Sequence, residues 1–544
     1  MSAVLVAGAC SAALATPAFA ETASSAWLTK PAAGPAIPGS SDVDAQQVVG
    51  PDGWTTLVWS NDQHKVMLVR IKPNGSVSAP IQVSGTTVGA TGYQPAVAID
   101  RAGKGIIVYD GLGADGYKIR ARRFSGVTTR FKLATATVAL GTDSDYNQNP
   151  SVGLGSDGVA TIAWRSGVTS RVNVLRLRPN NTTLKDFQTD LCKADSTTCL
   201  DPRVFTASSG VSTIIWTEQF SGDSTPRYRL NQISALGFIT NGTSKELSDV
   251  SRTHSSLQVV QASGGSLFAA WTSCQPLLAT QCRIDARRIS STGIPASASE
   301  VVAAEDGILR STPALGVSNA GAAIISWIDF SPKVIVKFRR LTTGGVKAGA
   351  SPVAVYEGGG MDRVGVNLSS NGAAQFFVGE GTTAVHEVGI TGRDLPGDSR
   401  DFPAGTGAFS RTPMVTVGRD GTLAATWLTT PAGGIKPRQF VSQLNAGNPT
   451  LTSLKFPARF KSRQRTGQVK INSSKYGTAV VTIAPASRKV RFRTRVTRIA
   501  VPSGSTTLKF NTTGLVRGKY TVTVQLLDYA GLKVTKSAKL LVTS

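Results

Sequence analysis

Histidine is nearly absent from this chain: among 544 residues only His64, His254 and His386 occur. They lie far apart with no ligand partner at metal-binding spacing, which argues against a histidine-built zinc centre or a histidine-centred nucleophilic triad. Neither a GxSxG elbow nor a GxxxxGK[ST] phosphate loop is present. Past the first twenty residues no apolar run is long enough to cross a bilayer as a helix. Acidic residues are missing from one end. Leu451 to Ser544 holds 19 Lys and Arg against a single acid, Asp528, whereas the preceding 450 residues carry 39 basic and 32 acidic residues. Most of the net charge of +25 therefore belongs to the C-terminal sixth.

Cysteine is also sparse, with five in all. Cys10 lies in the opening MSAVLVAGACSAALATPAFA, an apolar stretch ending in the small-x-small form of a signal-peptidase site, Ala18-Phe19-Ala20. Residues 1–20 are thus predicted to be a signal peptide and the mature chain to be secreted or held at the cell surface. The other four form two close pairs, Cys192 with Cys199 and Cys274 with Cys282. Even numbers in an exported chain predict disulfides rather than zinc, since neither pair has CxxC spacing or a nearby histidine.

What the chain has in abundance is a repeat. Gly53, Gly103, Gly158, Gly210, Gly265, Gly321, Gly372 and Gly421 lie 49 to 56 residues apart. Six residues after each comes Trp59, Tyr109, Trp164, Trp216, Trp271, Trp327, Val378 and Trp427 in turn. A fixed period in this range marks stacked or radial repeats. Within one repeat, NPSVGLGSDGVATIAWRSG and RVNVLRLRPN read as a short first strand of small residues and a turn at Ser156-Asp157-Gly158. A fully covered second strand and a more exposed third strand of alternating charge follow. Asp-Gly predicts a two-residue hairpin at the turn. Four strands of decreasing burial describe a propeller blade, with the large residue of the second strand filling the gap to its neighbour. The expected fold is all-β, an eight-bladed propeller over residues 21–449 followed by a β-sandwich over 450–544. Seven blades result if the seventh repeat, where Val378 replaces the aromatic, packs elsewhere. The last repeat shows only three strands, and Ala26-Trp27-Leu28-Thr29-Lys30 is predicted to supply its fourth and so close the ring.

The hairpin-and-tryptophan layout is similar to that of sialidase-like propellers, but the S-x-D-x-G-x-x-W box of that family is missing, so none of its catalytic residues is carried over. Repeats of the form P-x-V-x-x-x-x-x-G-x-x-x-x-x-W over residues 45–430 resemble those of exported bacterial proteins of unassigned function. The C-terminal segment resembles bacterial immunoglobulin-like modules through the Arg517-Gly518 turn before Lys519-Tyr520-Thr521-Val522 and the turn Asp528-Tyr529-Ala530-Gly531.

Candidate chemistry is limited. Asp110, Glu218, Asp329 and Glu380 lie one or two residues past the aromatic position, where second strands enter loops. Two such carboxylates would serve a carbohydrate-active enzyme of glycosidase type as acid and base. Acids commonly solvate loop ends, and the chain is read as a non-enzymatic binding protein, with the glycosidase as the alternative. No cofactor is expected. Asp143, Asp145 and Asn147 resemble the start of a calcium loop, but Gln148 stands at the glycine position and no closing glutamate follows. The strongest binding feature is basic: Arg491, Arg493 and Arg495 alternate along a predicted strand, flanked by Arg488, Lys489 and Arg498. Guanidinium groups so arrayed suit an anionic cell-wall polymer or acidic polysaccharide. Export makes nucleic acid the less fitting polyanion. The propeller face is expected to bind a glycan or protein partner.

Overall fold

In the computed structural model, the description covers residues 32–33 and most of 45–543. Residues 1–31, 34–44 and shorter internal stretches, the longest being 141–147, 444–450 and 487–493, lie outside it. The leader, Ala26–Lys30 and the Asp143, Asp145 and Asn147 series are among these. The described residues contain strands and no helix.

Residues 32–443 form eight antiparallel sheets of four or five strands. Seven follow the chain in simple meanders, and sheet 3 is representative, with Gln148–Leu154, Ala160–Arg165, Val172–Leu177 and Thr189–Asp190 in order. Short connections and two-residue alternation favour this arrangement. The eighth sheet is completed from elsewhere in sequence. Met414–Val417, Thr422–Thr430 and Lys436–Gln443 are joined at the outer edge by Ala32–Ala33, with Ala32 opposite Gln439 and Ala33 opposite Arg438. An N-terminal segment thus pairs where the last repeat lacks its fourth strand, slightly downstream of the pentapeptide expected. Neighbouring sheets touch in chain order, and the first strand of sheet 1, Gln46–Val49, lies against those of sheets 2 and 8.

In sheets 2 to 7 the large residue of the second strand works between sheets. Tyr109 packs on Val58, Val66 and Leu68 of sheet 1, Trp164 on Ile106 and Val108 of sheet 2, and Trp216 on Val172 and Val174 of sheet 3. Trp271 and Trp327 repeat the pattern, and Val378 does so against Ile328, Val336 and Phe338 of sheet 6. The seventh repeat therefore packs like the others despite its smaller side chain.

Two expectations change. The hairpin after the first strand is not a two-residue turn. Gly158 N donates to Gly155 O at 3.0 Å and Gly155 N to Val159 O at 3.0 Å, with Gly158 left-handed at φ 78°. This is a three-residue loop whose last residue makes a glycine bulge. Gly103, Gly210, Gly265 and Gly321 share the left-handed conformation and the same turn bond. The third strand, moreover, is buried: Val172–Leu177 is covered throughout, Arg176 included. Its arginines are inter-sheet ties. Arg122 donates to Val83 O of the preceding sheet at 2.6 Å and to Ala134 O at 2.6 Å. Arg287 reaches Leu247 O at 2.8 Å and Ala296 O at 2.7 Å, and Arg339 reaches Val302 O at 3.1 Å. The next residue in the strand faces the other way. Arg123 binds Gly158 O, Leu177 O and Arg178 O of the following sheet, and Arg176 binds Ser234 O. Charge alternation here reflects two buried faces, each lined with backbone carbonyls, rather than solvent on one side.

Residues 451–543 make two further sheets around one core of Leu451, Val469, Ile471, Val481, Ile483, Leu508, Phe510, Val522 and Val524. One sheet orders Leu451–Lys455, Thr466–Ser473 and Gly504–Asn511. The other orders Arg459–Lys461, Lys533–Thr543, Gly518–Asp528, Gly477–Pro485 and Arg495–Val501. The fully buried Tyr520 donates its hydroxyl to Val516 O at 2.8 Å.

Candidate functional site

The eight sheets place the start of each first strand beside the end of each second strand. Tyr93 faces Asp110, Cys199 faces Glu218, Arg310 bridges to Asp329 and Met361 faces Glu380. The four candidate acids therefore lie at one end of their sheets, and three are held by described partners. Glu218 is fully buried, accepting from Ser196 Oγ at 2.5 Å and pairing with Arg229 Nε at 2.9 Å. Asp329 accepts from Trp327 Nε1 at 2.8 Å and pairs with Arg310 at 3.0 Å and Lys337 at 2.7 Å. Glu380 pairs with His386 Nε2 at 2.7 Å. Asp110 is buried against its ladder partner. Each belongs to a different sheet.

Both cysteine pairs stand at disulfide distance at this same end. Cys192–Cys199 ties the entry of sheet 4 to its first strand, and Cys274 and Cys282 lie opposite each other in sheet 5. Glu218 lies near the first pair, but both of those sulfurs are spent on each other, so the cluster offers no free thiolate to a metal.

At this end a cavity of about 670 Å³ opens between the first strands of sheets 1 to 4. Its polar lining is Gln46, Gln94, Asn149, Ser151, Asp201 and Arg203. The local chain conformation explains why these side chains are there. Gln94, Asn149 and Asp201 are left-handed, at φ 45°, 52° and 50°, and each sits at a register break before a proline. A bulge re-aims a side chain out of the ladder, and left-handed non-glycine residues are strained by about 1–2 kcal/mol each. Ser256, at φ 60°, repeats the bulge in sheet 5. The strained residues link the sheets to one another. Asn149 N donates to Gln94 Oε1 at 2.9 Å, and Asn149 Nδ2 donates to Asp201 Oδ1 at 2.8 Å.

Arg203 breaks the rule of small residues on first strands, occupying the place held by Ala96 and Ser151 in sheets 2 and 3. Burial lowers its pKa, opposed in part by Asp201 and Tyr228. The Tyr228 phenol is itself pushed up to about 12 by burial, with Arg203 pulling the other way.

Of the basic residues in the C-terminal module, Arg488, Lys489, Arg491 and Arg493 lie outside the described residues. Arg495 opens the strand Arg495–Val501 opposite Ile483, and Arg498 stands opposite Val480. The two occupy positions of opposite parity on that strand.

No protein-family model matches this chain. No curated protein matches it either. Solved structures similar to it include the polysaccharide lyase Uly1, at 11% identity over 76% of this chain and 91% of that one, with a TM-score of 0.43. The BP39L lectin from Burkholderia pseudomallei is similar at 10% identity over 67% and 100%, with a TM-score of 0.43. An α-L-arabinanase from Penicillium chrysogenum aligns at 11% identity over 69% and 99%, with a TM-score of 0.38. With identities near one residue in ten and TM-scores below 0.5, these likenesses carry nothing about what this chain binds.

Proposed function

We propose that this is an exported binding protein, an eight-bladed propeller closed by its N-terminal strand and followed by a basic immunoglobulin-like module over residues 450–544. The propeller would hold a glycan or partner in the cavity of sheets 1 to 4. The module would hold the protein to an anionic cell-wall polymer or acidic polysaccharide. Support for the module's class comes from its three- and five-stranded sheets and from Tyr520, whose bond to Val516 O matches the tyrosine corner of such domains.

One observation favours binding over hydrolysis. Among the described residues Asp201 is the one carboxylate lining the cavity, whereas a glycosidase of the usual kind needs two flanking the scissile bond. Of the four acids that might have supplied a second, Glu218 and Asp329 are taken up in ion pairs, Glu380 is held by His386, and Asp110 is buried opposite Tyr93. The cavity size falls within the ordinary range for small-ligand sites. The reading is tested by presenting the full-length protein with a broad glycan panel. Ligands should bind without turnover, and Asn149→Trp, which fills the cavity, should abolish binding. Product release that disappears in Asp329→Asn would favour the enzyme instead.

A further inference from the structure

Among the arginines of the first eight sheets, Arg122, Arg123, Arg176, Arg229, Arg287, Arg310 and Arg339 all donate to carbonyls or carboxylates. Arg203 does not: its guanidinium makes no hydrogen bond and no ion pair within 4.0 Å among the described residues. A partly desolvated guanidinium with five unspent N–H donors is unfavourable unless something outside the chain meets it. Its neighbours in the cavity define what that is. Asn149 Nδ2 and Asp201 Oδ1 are bonded to each other, which leaves Asp201 Oδ2 and Asn149 Oδ1 as acceptors and the Gln94 side-chain NH₂ as a donor. Acceptors of this kind call for hydroxyl donors. The Asp201 charge disfavours a dianion such as phosphate, while a singly charged planar carboxylate fits the guanidinium fork.

We infer that the cavity binds a carboxylate-bearing saccharide, its acid group held by Arg203 and its hydroxyls by Asn149 and Asp201. This rests on the cavity being the ligand site. It also fits the charge of the C-terminal module, since one acidic polysaccharide would satisfy both.

The test uses full-length protein titrated calorimetrically with tetragalacturonate, a glucuronate oligomer, their methyl esters and inorganic phosphate. At least one acid form should bind, its ester at least 10-fold more weakly. Arg203→Met should weaken the acid form at least 10-fold while leaving the melting temperature unchanged or raised, because the lost guanidinium makes no hydrogen bond or close ion pair inside the chain and its burial outweighs the pull of Asp201 and Tyr228. Acid and ester binding alike, or acid binding unaffected by Arg203→Met, overturns the proposal. So does phosphate binding as tightly as the sugar acid, or a fall in melting temperature that accompanies lost binding. Failure of every acidic sugar also overturns it, and the cavity reading then stands or falls separately on whether Asn149→Trp removes binding of neutral glycans.

Discussion

Many arginines of the first eight sheets spend their donors inside the molecule. Arg287 shows the pattern, supplying donors to Glu246 O and Leu247 O of one sheet and to Ala296 O and Ser297 O of its own. Arg287→Met keeps the bulk and strands those carbonyls, and should destabilise by about 2–4 kcal/mol in urea unfolding. Glu218→Ala leaves Arg229 buried without its carboxylate and should cost about 3–5 kcal/mol. His254 carries a pH dependence. Its ring bonds to Ser273 Oγ at 3.0 Å and to Asp249 O at 2.5 Å, and burial pushes its pKa below 6.5 against the pull of Asp249 and Asp285. The folded imidazole stays neutral where the unfolded one takes a proton. Stability is therefore full above about pH 6.5 and falls as pH drops towards the folded value. His254→Gln should flatten that slope between pH 7 and 5, and an unchanged slope would assign the acid sensitivity to other groups.

At the scale of single elements, the glycine hairpin is the recurring unit. Gly265, at φ 84°, closes its turn through a bond to Ala262 O at 2.9 Å, and a Cβ there would stand 3.1 Å from Ala207 Cβ. Gly265→Val should cost about 1–2 kcal/mol for the left-handed backbone, with the close approach to Ala207 adding to it. A second hairpin of the same kind joins third and fourth strands, as in Ser234 to Phe238 and Ser290 to Ile294, where Gly237 and Gly293 are left-handed. Its glycines have a similar period to the first set but no aromatic stands six residues beyond them, so the sequence pattern passes over them. The pre-proline bulge is a third recurring element. Its sequence trace is the polar residue before proline in Gln94-Pro95, Asn149-Pro150 and Asp201-Pro202, a position next to the motif but outside it.

For the molecule as a whole, the pairing of Ala32–Ala33 with Arg438 and Gln439 joins the chain's two distant ends of the repeat region. Deleting residues 21–40 should lower the melting temperature by several degrees and expose the edge of the eighth sheet; an unaltered melting curve would remove the segment from any closing role. The basic module acts at the same scale. Full-length protein should be retained on anionic wall polymer and elute with added salt, because displaced counterions weaken such contacts as salt rises. Reversing Arg491→Glu, Arg493→Glu and Arg495→Glu together should abolish retention.

The all-β class, the period of the sheets, the buried aromatic between neighbours and the cysteine pairing all follow from residue types at fixed spacing. They depend on local turn chemistry and on two-residue alternation, both of which are written along the chain. Tertiary structure decided the rest. Arg176 and Arg287 look solvent-facing by alternation, yet Arg176 is buried and Arg287 half-buried because an adjacent sheet offers carbonyls that no linear pattern displays. Glu218 and Asp329 look like free loop acids until Arg229 and Arg310, brought close by the sheets, take them up. The cavity itself draws on Gln94, Asn149 and Asp201, which are more than fifty residues apart in sequence and meet only because neighbouring first strands converge.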